Sequence, residues 1–213
     1  MMFEKQKIKS DTSNRYKGEE RRAQGEKKDM MLETKRLILR KWEIEDAKSL
    51  YRYAKDPLVG PAAGWKPHES IAESRTIIQT VFDDNEIFAV VLKETGEPIG
   101  SIGIMPTRCQ PLNEGSMELE IGYWIGVPYW GQGLIPEAVR CLQEIAFADG
   151  VCDVLWCGYY DGNEKSRRVQ EKCGFVYHHT EYDVDCPALH EKRTEHFTYV
   201  TKDMWKTKIA EEK

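Results

Sequence analysis

The chain predicts an α+β fold, and three observations point to it. Seven runs rich in β-branched and aromatic residues read as strands: Arg36–Arg40, Ile87–Leu92, Ile99–Met105, Met117–Ile125, Val154–Tyr160, Phe175–Tyr182 and His196–Thr201. Four stretches read as helices: Ile44–Ala54, Ser70–Phe82, Pro136–Asp149 and Glu164–Lys172. The length, 213 residues, supports one sizeable core and not obviously two.

Local chemistry supports the elements in turn. Ser70 and Asn163 suit helix N-caps, and Glu73, three residues after Ser70, completes a capping-box pattern. Glu94-Thr-Gly-Glu97 reads as a hairpin turn between the second and third strands. Leu134, Ala138, Leu142 and Ile145 give the third helix its apolar face. Two segments read as irregular, Asp56–Glu69 and Asp183–Glu195. Residues 1–30 are dense in Lys, Arg, Glu and Gln and nearly free of large apolar side chains, so a disordered tail is expected there, with the domain over 31–213.

Composition excludes several classes. No apolar run approaches transmembrane length and no signal-peptide pattern opens the chain. The six cysteines are scattered without C-x-x-C pairs, and the histidines lie at no zinc spacing, so no metal is expected and a reduced, cytoplasmic setting is. The formal net charge of −5 argues against a nucleic-acid partner and fits, weakly, a cationic one.

The most informative stretch is Val127-Pro-Tyr-Trp-Gly-Gln-Gly-Leu-Ile-Pro136, between a strand and a helix. Gly131 and Gly133 allow a ligand close to the backbone. Pro136 suits a first helical turn, where an amide hydrogen lacks an intrahelical partner anyway. The free amides ahead of the helix stand at the positive end of its dipole, which suits a phosphate group. A dinucleotide-binding G-x-G-x-x-G would need glycine where Pro136 stands, so only Gly131-x-Gly133 of it is present.

Trp130-Gly-Gln-Gly-Leu-Ile135 resembles the Q/R-x-x-G-x-G/A signature of GNAT acetyltransferases, with Trp130 for Gln/Arg and Ile135 for Gly/Ala. These departures resemble the RimJ/RimL-like branch, the ribosomal-protein N-terminal acetyltransferases. Leu32–Arg40, Asp46–Leu50, Glu118–Ile125, Asn163–Ser166 and Glu171–Phe175 are similar to that branch in the same order, from about Leu32 to about Trp205. The resemblance implies a mostly antiparallel seven-stranded sheet flanked by about four helices. Its fourth and fifth strands would be parallel and splay apart to admit acetyl-CoA.

The resemblance also implies a chemistry, acetyl transfer from acetyl-CoA to an amine by direct attack. The amine would be a peptide N-terminus or a small molecule, and the protein a monomer or homodimer with no nucleic-acid or membrane partner. Backbone amides of Gly131, Gln132, Gly133, Leu134 and Ile135 would hold the pyrophosphate, beside Trp130, with the Ile135 side chain turned away. Glu120 stands at the Glu of the family's Glu-Ile-Gly-Tyr pattern and is the candidate general base, with Glu118, two residues earlier on the same strand face, in reserve. Where many of these enzymes carry a helix tyrosine as acid, this chain has Gln170, and Ser166 is the alternative. Asn163 would cap the helix or touch the pantetheine arm, and a backbone amide between Ile125 and Val127 would polarise the thioester carbonyl. Acceptor recognition would fall to the two irregular segments, with Trp65, Lys66 and His68 in one and Cys186-Pro187 and His190 in the other. Glu191, Lys192 and Arg193 read as a solvated hairpin tip. Two alternatives remain, a non-catalytic acyl-CoA-binding module of the same fold and, disfavoured by Pro136, a nicotinamide-dependent enzyme.

Overall fold

The computed structural model describes residues 31–82, 86–148 and 151–211. Its centre is one mixed sheet of eight strands: β1 (Leu32–Glu33), β2 (Leu37–Arg40), β3 (Glu86–Leu92), β4 (Glu97–Pro106), β5 (Glu118–Ile125), β6 (Val154–Tyr160), β7 (Val176–Cys186) and β8 (Glu191–Thr201). The spatial order is β1-β2-β3-β4-β5-β6-β8-β7. Every described pairing is antiparallel except β5 with β6. Among the described residues five α-helices flank the sheet: α1 (Ala47–Ala54), α2 (Ile71–Ile77), α3 (Leu134–Ala148), α4 (Glu164–Lys172) and α5 (Lys202–Glu211).

The parallel pair opens the sheet. β5 meets β6 only at Glu118–Val154, Leu119–Leu155 and Glu120–Trp156, although β5 continues to Ile125 and β6 to Tyr160. Beyond Glu120 the two strands diverge. Because side chains alternate along a strand, β5 presents Glu118, Glu120 and Trp124 to one face and Ile121, Tyr123 and Ile125 to the other. Trp124 meets Trp42 and Trp65 on the first face. Tyr123 reaches Ser166 of α4 on the second.

Four differences from the sequence reading have physical causes. α3 starts at Leu134, two residues early, because Gly133 at φ +73° turns the chain straight into it, and Pro136 still lies in the first turn. The expected end of this helix, Asp149, lies outside the described residues, as does the tail over 1–30. The segment Asp183–Glu195 is not an irregular loop. It completes β7 and opens β8 around a tight turn at Pro187–Leu189. β7 is an edge strand exposed along most of its length, so it lacks the alternation that marks a strand with one buried face. Finally, β1 and α5 are additions: β1 is only a two-residue pairing, and α5 has no buried residue.

The caps follow the expected chemistry with one shift. Ser70 Oγ accepts from Glu73 N at 3.0 Å and Asn163 Oδ1 from Ser166 N at 3.2 Å. The Glu73 carboxylate, however, takes the amide of Glu69 rather than that of Ser70, so the box closes one residue early.

Glu137 ties α3 to the start of the sheet. It accepts from Thr34 Oγ1 at 2.6 Å, Arg36 N at 2.7 Å and Arg36 Nε at 2.7 Å. Burial alone would raise its carboxyl, but these donors outweigh it and hold the group below the usual carboxylate range. A depressed carboxyl contributes stability that is present above its unfolded pKa and lost as pH falls through the folded one. Glu137→Ala is therefore expected to cost about 1–3 kcal/mol at neutral pH. In urea titrations, its deficit against the parent should narrow as pH drops below the carboxylate range.

Candidate active site

The diverging strands form one wall of a cleft of about 1700 Å³. Glu120, Ile125, Trp130, Gly131, Gly133 and Leu134 line it. So do Ile135, Asn163 and Ser166, whereas Val127 and Gln132 do not.

At one end lies the glycine turn. Gly131 and Gly133 have φ of +75° and +73°, a region that side chains with a Cβ rarely enter. A Cβ built on Gly131 would meet nothing within 4 Å, and one on Gly133 only Arg36 Nη2 at 3.7 Å. The backbone is therefore bare on the side a ligand would approach. The amides of residues 131–135 donate to no group among the described residues, as expected of a turn entering a helix N-terminus. Behind the turn, Arg36 Nη1 holds Gln132 O at 3.0 Å and Gln132 Nε2 holds Pro128 O at 2.8 Å. Gln132 thus braces the loop from outside the cleft. The Ile135 side chain is buried in the core, as its place in the signature required. Cations stand opposite: Lys165, Arg168 and Lys172 of α4 line the cleft, and Lys165 Nζ lies 4.2 Å from the Trp130 ring centroid. Their spacing of three and four along one helix was readable in the sequence but was not used there.

At the end of β5 one backbone amide faces the gap. Gly126 N is spent on Ile99 O at 2.9 Å. Antiparallel rungs alternate, so the next residue back, Ile125, paired with Gly100, turns its N–H and C=O away from β4 into the gap. Trp130 Nε1 takes that carbonyl at 2.9 Å, which fixes the indole at the cleft's edge.

At the other end are two buried carboxylates and one guanidinium. Glu120 and Glu195 are 8% and 5% exposed. Arg108 Nη2 donates to Glu120 Oε1 and to Glu195 Oε1, each at 3.0 Å, and Arg108 Nη1 to Glu195 Oε2 at 3.2 Å. Gly158 makes room for this group, since a Cβ there would lie 2.6 Å from Glu195 Oε1. The trio carries a residual charge of about −1, in a pocket where charge is weakly screened. Arg108 and Glu195 were not foreseen. They lie 12 and 75 residues from Glu120, and only the fold joins them.

Glu118 plays a different part. Its carboxylate accepts from Trp156 Nε1 at 2.6 Å, Leu112 N at 2.7 Å and the Ser116 hydroxyl. This anchors the loop after β4 to the core. Glu118→Ala strands these donors and is expected to cost about 3 kcal/mol of stability, read as a lower urea midpoint. Ligand affinity at the glycine turn should be unchanged.

On the opposite face Ser166 Oγ lies 3.0 Å from Tyr123 Oη and 3.1 Å from Gln170 Nε2. Gln170, where many related enzymes carry a tyrosine, is 1% exposed and points into the core. Tyr123 lines the cleft and was likewise not foreseen, although it sits in the Glu-Ile-Gly-Tyr pattern. Asn163 caps α4 and also donates from Nδ2 to Ala62 O at 3.2 Å, which ties the segment 56–69 to the cleft wall. In that segment Pro57, Leu58, Val59, Pro61, Ala62 and Ala63 line the cleft, whereas Trp65 and His68 pack beside it. Arg193 is no solvated tip: it is held by Pro61 O and its guanidinium lies 4.8 Å from the Tyr160 ring centroid. Among the described residues no cluster of three or more His, Cys, Asp or Glu is placed to hold a metal. No described helix is long and apolar enough to cross a membrane.

A mostly antiparallel sheet that splits between two parallel strands, with an amide-lined turn at the split, is the acyl-CoA N-acyltransferase architecture. Residues 36–176 match the acetyltransferase (GNAT) domain family, and the chain belongs to it. A relative from Bacillus licheniformis, the uncharacterized N-acetyltransferase p20, is 35% identical over 121 residues, which is 54% of this chain and 65% of the relative. The match therefore spans less than two thirds of that relative. Among solved structures, the ribosomal-protein-S5-alanine acetyltransferase of Vibrio fischeri superposes with TM-score 0.65 at 20% identity, over 83% of this chain and 99% of that one. The microcin C7 self-immunity acetyltransferase MccE, solved with acetyl-CoA and AMP, gives TM-score 0.65 at 17% identity, over 79% and 93%. At these identities the structural likeness establishes the fold.

Proposed function

We propose that the cleft binds acetyl-CoA and transfers its acetyl group to a primary amine, with Glu120 as the base. The observation that carries this is the placement of an unsatisfied amide turn and a buried carboxylate along one cleft, at the split between β5 and β6. The turn suits the pyrophosphate, with Lys165, Arg168 and Lys172 opposite as counter-charges. Ile125 N is the donor for the thioester oxygen. The residual negative charge of the Glu120–Arg108–Glu195 trio suits an acceptor that arrives as an ammonium ion. An amine attacks only when neutral, so Glu120, directly or through a water, takes the proton. Ser166 faces the leaving sulfur.

The neighbour solved with acetyl-CoA supports the cofactor, and the S5-alanine acetyltransferase among the neighbours supports a protein amine as one acceptor class, in keeping with the RimJ/RimL-like signature. A small-molecule amine is the other. Six free cysteines suit a reducing, cytoplasmic setting. Thermal-shift titration tests the ligand class: acetyl-CoA should raise the melting temperature and NAD should not. The reverse result would move the protein out of this reading. A chain begun at Met31 is expected to fold and keep its activity, because β1 starts at Leu32 and the family match at Arg36. Loss of either, by circular dichroism or CoA release, would give the first 30 residues a part in the domain or the site.

A further inference from the structure

Ser166 is held in a hydrogen-bond chain that the reading above leaves unused. Gln170 Nε2 donates to Gly158 O at 3.2 Å, and Gln170 Oε1 accepts from Thr198 Oγ1 at 2.7 Å. These neighbours fix the amide, because the Gly158 carbonyl can only accept. The amide's second N–H then points to Ser166 Oγ at 3.1 Å. Tyr123 Oη stands 3.0 Å from Ser166 Oγ and 3.2 Å from Ser166 O.

Counting hydrogens around Ser166 gives two arrangements, with the Cys157 thiol also within hydrogen-bond reach of the Tyr123 hydroxyl. A serine hydroxyl has one hydrogen and two lone pairs, and Gln170 occupies one lone pair. In the first arrangement Tyr123 donates to the Ser166 carbonyl and the serine donates back to Tyr123. In the second, Tyr123 donates to Ser166 Oγ. Both lone pairs are then filled, and the serine hydrogen is left for the cleft that Ser166 lines. The exchange gives up little, because the Ser166 carbonyl lies in the hydrogen-bond ladder of α4.

We propose that Tyr123 is a positioning residue for acyl transfer: by donating to Ser166 Oγ it turns the serine hydrogen toward the leaving sulfur. This rests on the cleft taking acetyl-CoA as described above. In the step itself, the amine nitrogen bonds to the acetyl carbon, the C–S bond breaks and its electron pair stays on sulfur. The ammonium gives one proton to Glu120 or its water before attack, the nitrogen loses the second as the adduct collapses, and both pass on to solvent. Ser166 gives the thiolate a hydrogen bond but no proton, and the thiolate is protonated by solvent after release. Burial pushes the Tyr123 phenol well above its ordinary range, so it remains a donor throughout.

The test uses binding as well as turnover. A site that steers a hydrogen onto sulfur favours the thiolate, so CoA affinity relative to desulfo-CoA should rise between pH ~6.5 and ~9, across the thiol pKa of ~8.5. By calorimetry the rise is expected in the parent and lost in Tyr123→Phe and in Ser166→Ala, with desulfo-CoA affinity unchanged. Tyr123→Met removes the same donor with different packing and should behave like Tyr123→Phe, so the test survives if one variant fails to fold. In turnover, Tyr123→Phe should lower kcat about 10-fold with the acetyl-CoA KM unchanged, and should add nothing in the Ser166→Ala background. A flat CoA to desulfo-CoA ratio in the parent overturns the proposal. So does a rise that persists without Tyr123, or an undiminished Tyr123→Phe effect in the Ser166→Ala background. Failure to bind CoA at all overturns the function reading and this inference together. Normal pH-dependent CoA binding without transfer to any amine overturns the function reading and the acyl-transfer role, and leaves only the Tyr123-steered hydrogen bond to sulfur.

Discussion

Glu120→Gln is expected to lower turnover roughly 10²-fold or more, the low end for loss of a general base. The change keeps the side chain's shape and an oxygen for Arg108 to grip, so the guanidinium should stay between β5 and β8. What it removes is the capacity to take the amine's proton. The acidic limb of the kcat/KM profile should vanish with it, and acetyl-CoA affinity should not move. Ser166→Ala is expected to cost less, because a thiol with pKa ~8.5 leaves tolerably unaided whereas an amine must lose its proton. A Glu120→Gln protein with near-parental turnover and an unchanged pH profile would leave bulk water as the base. Glu118 does not line the cleft, and its carboxylate is taken up by Trp156, Leu112 and Ser116.

Gly133→Val is expected to reduce CoA affinity roughly 100-fold or more, since two lost charge-assisted hydrogen bonds suffice for that factor. Gly133 sits at φ +73°, where a β-branched residue is a conformational outlier. The substitution therefore acts twice. It rotates the peptides whose amides face the cleft, and it places methyl groups where the backbone is now bare. Because the built Cβ approaches only Arg36 Nη2, at 3.7 Å, the core should survive and the melting temperature should fall by a few degrees. Unchanged CoA affinity in this variant would place the pyrophosphate elsewhere.

How much of this was readable in the chain depends on the range of each signal. The glycine turn, the caps at Ser70 and Asn163 and the central strands are local, and the residues that dictate them lie within a few positions of one another. The candidate site is not local. Glu120 stands out by its motif, but Arg108, which bridges it to Glu195, comes from a loop and Glu195 from β8. Glu118 shares Glu120's strand face, and periodicity cannot tell a carboxylate that anchors a loop from one that lines the cleft. The difference lies in Trp156, across the parallel pairing. Tyr123 illustrates the same limit: its place in the pattern was plain, but its meaning came from Ser166 on α4, 43 residues away. The end of β7, from Asp183, and the start of β8 were hidden for another reason. An edge pair with charges on both faces has no buried side to impose alternation.

Whether one cleft joins acetyl-CoA to an amine is measured most directly by an acceptor screen with acetyl-CoA, including ribosomal-protein N-terminal peptides and small amines, read by thiol release and by the mass of the acceptor. Release of one CoA per acetyl group gained on an amine nitrogen is expected, strongly reduced in both Gly133→Val and Glu120→Gln. Tight acetyl-CoA binding with no acetylated amine anywhere in the screen would contradict this expectation and leave a binding module of the same fold.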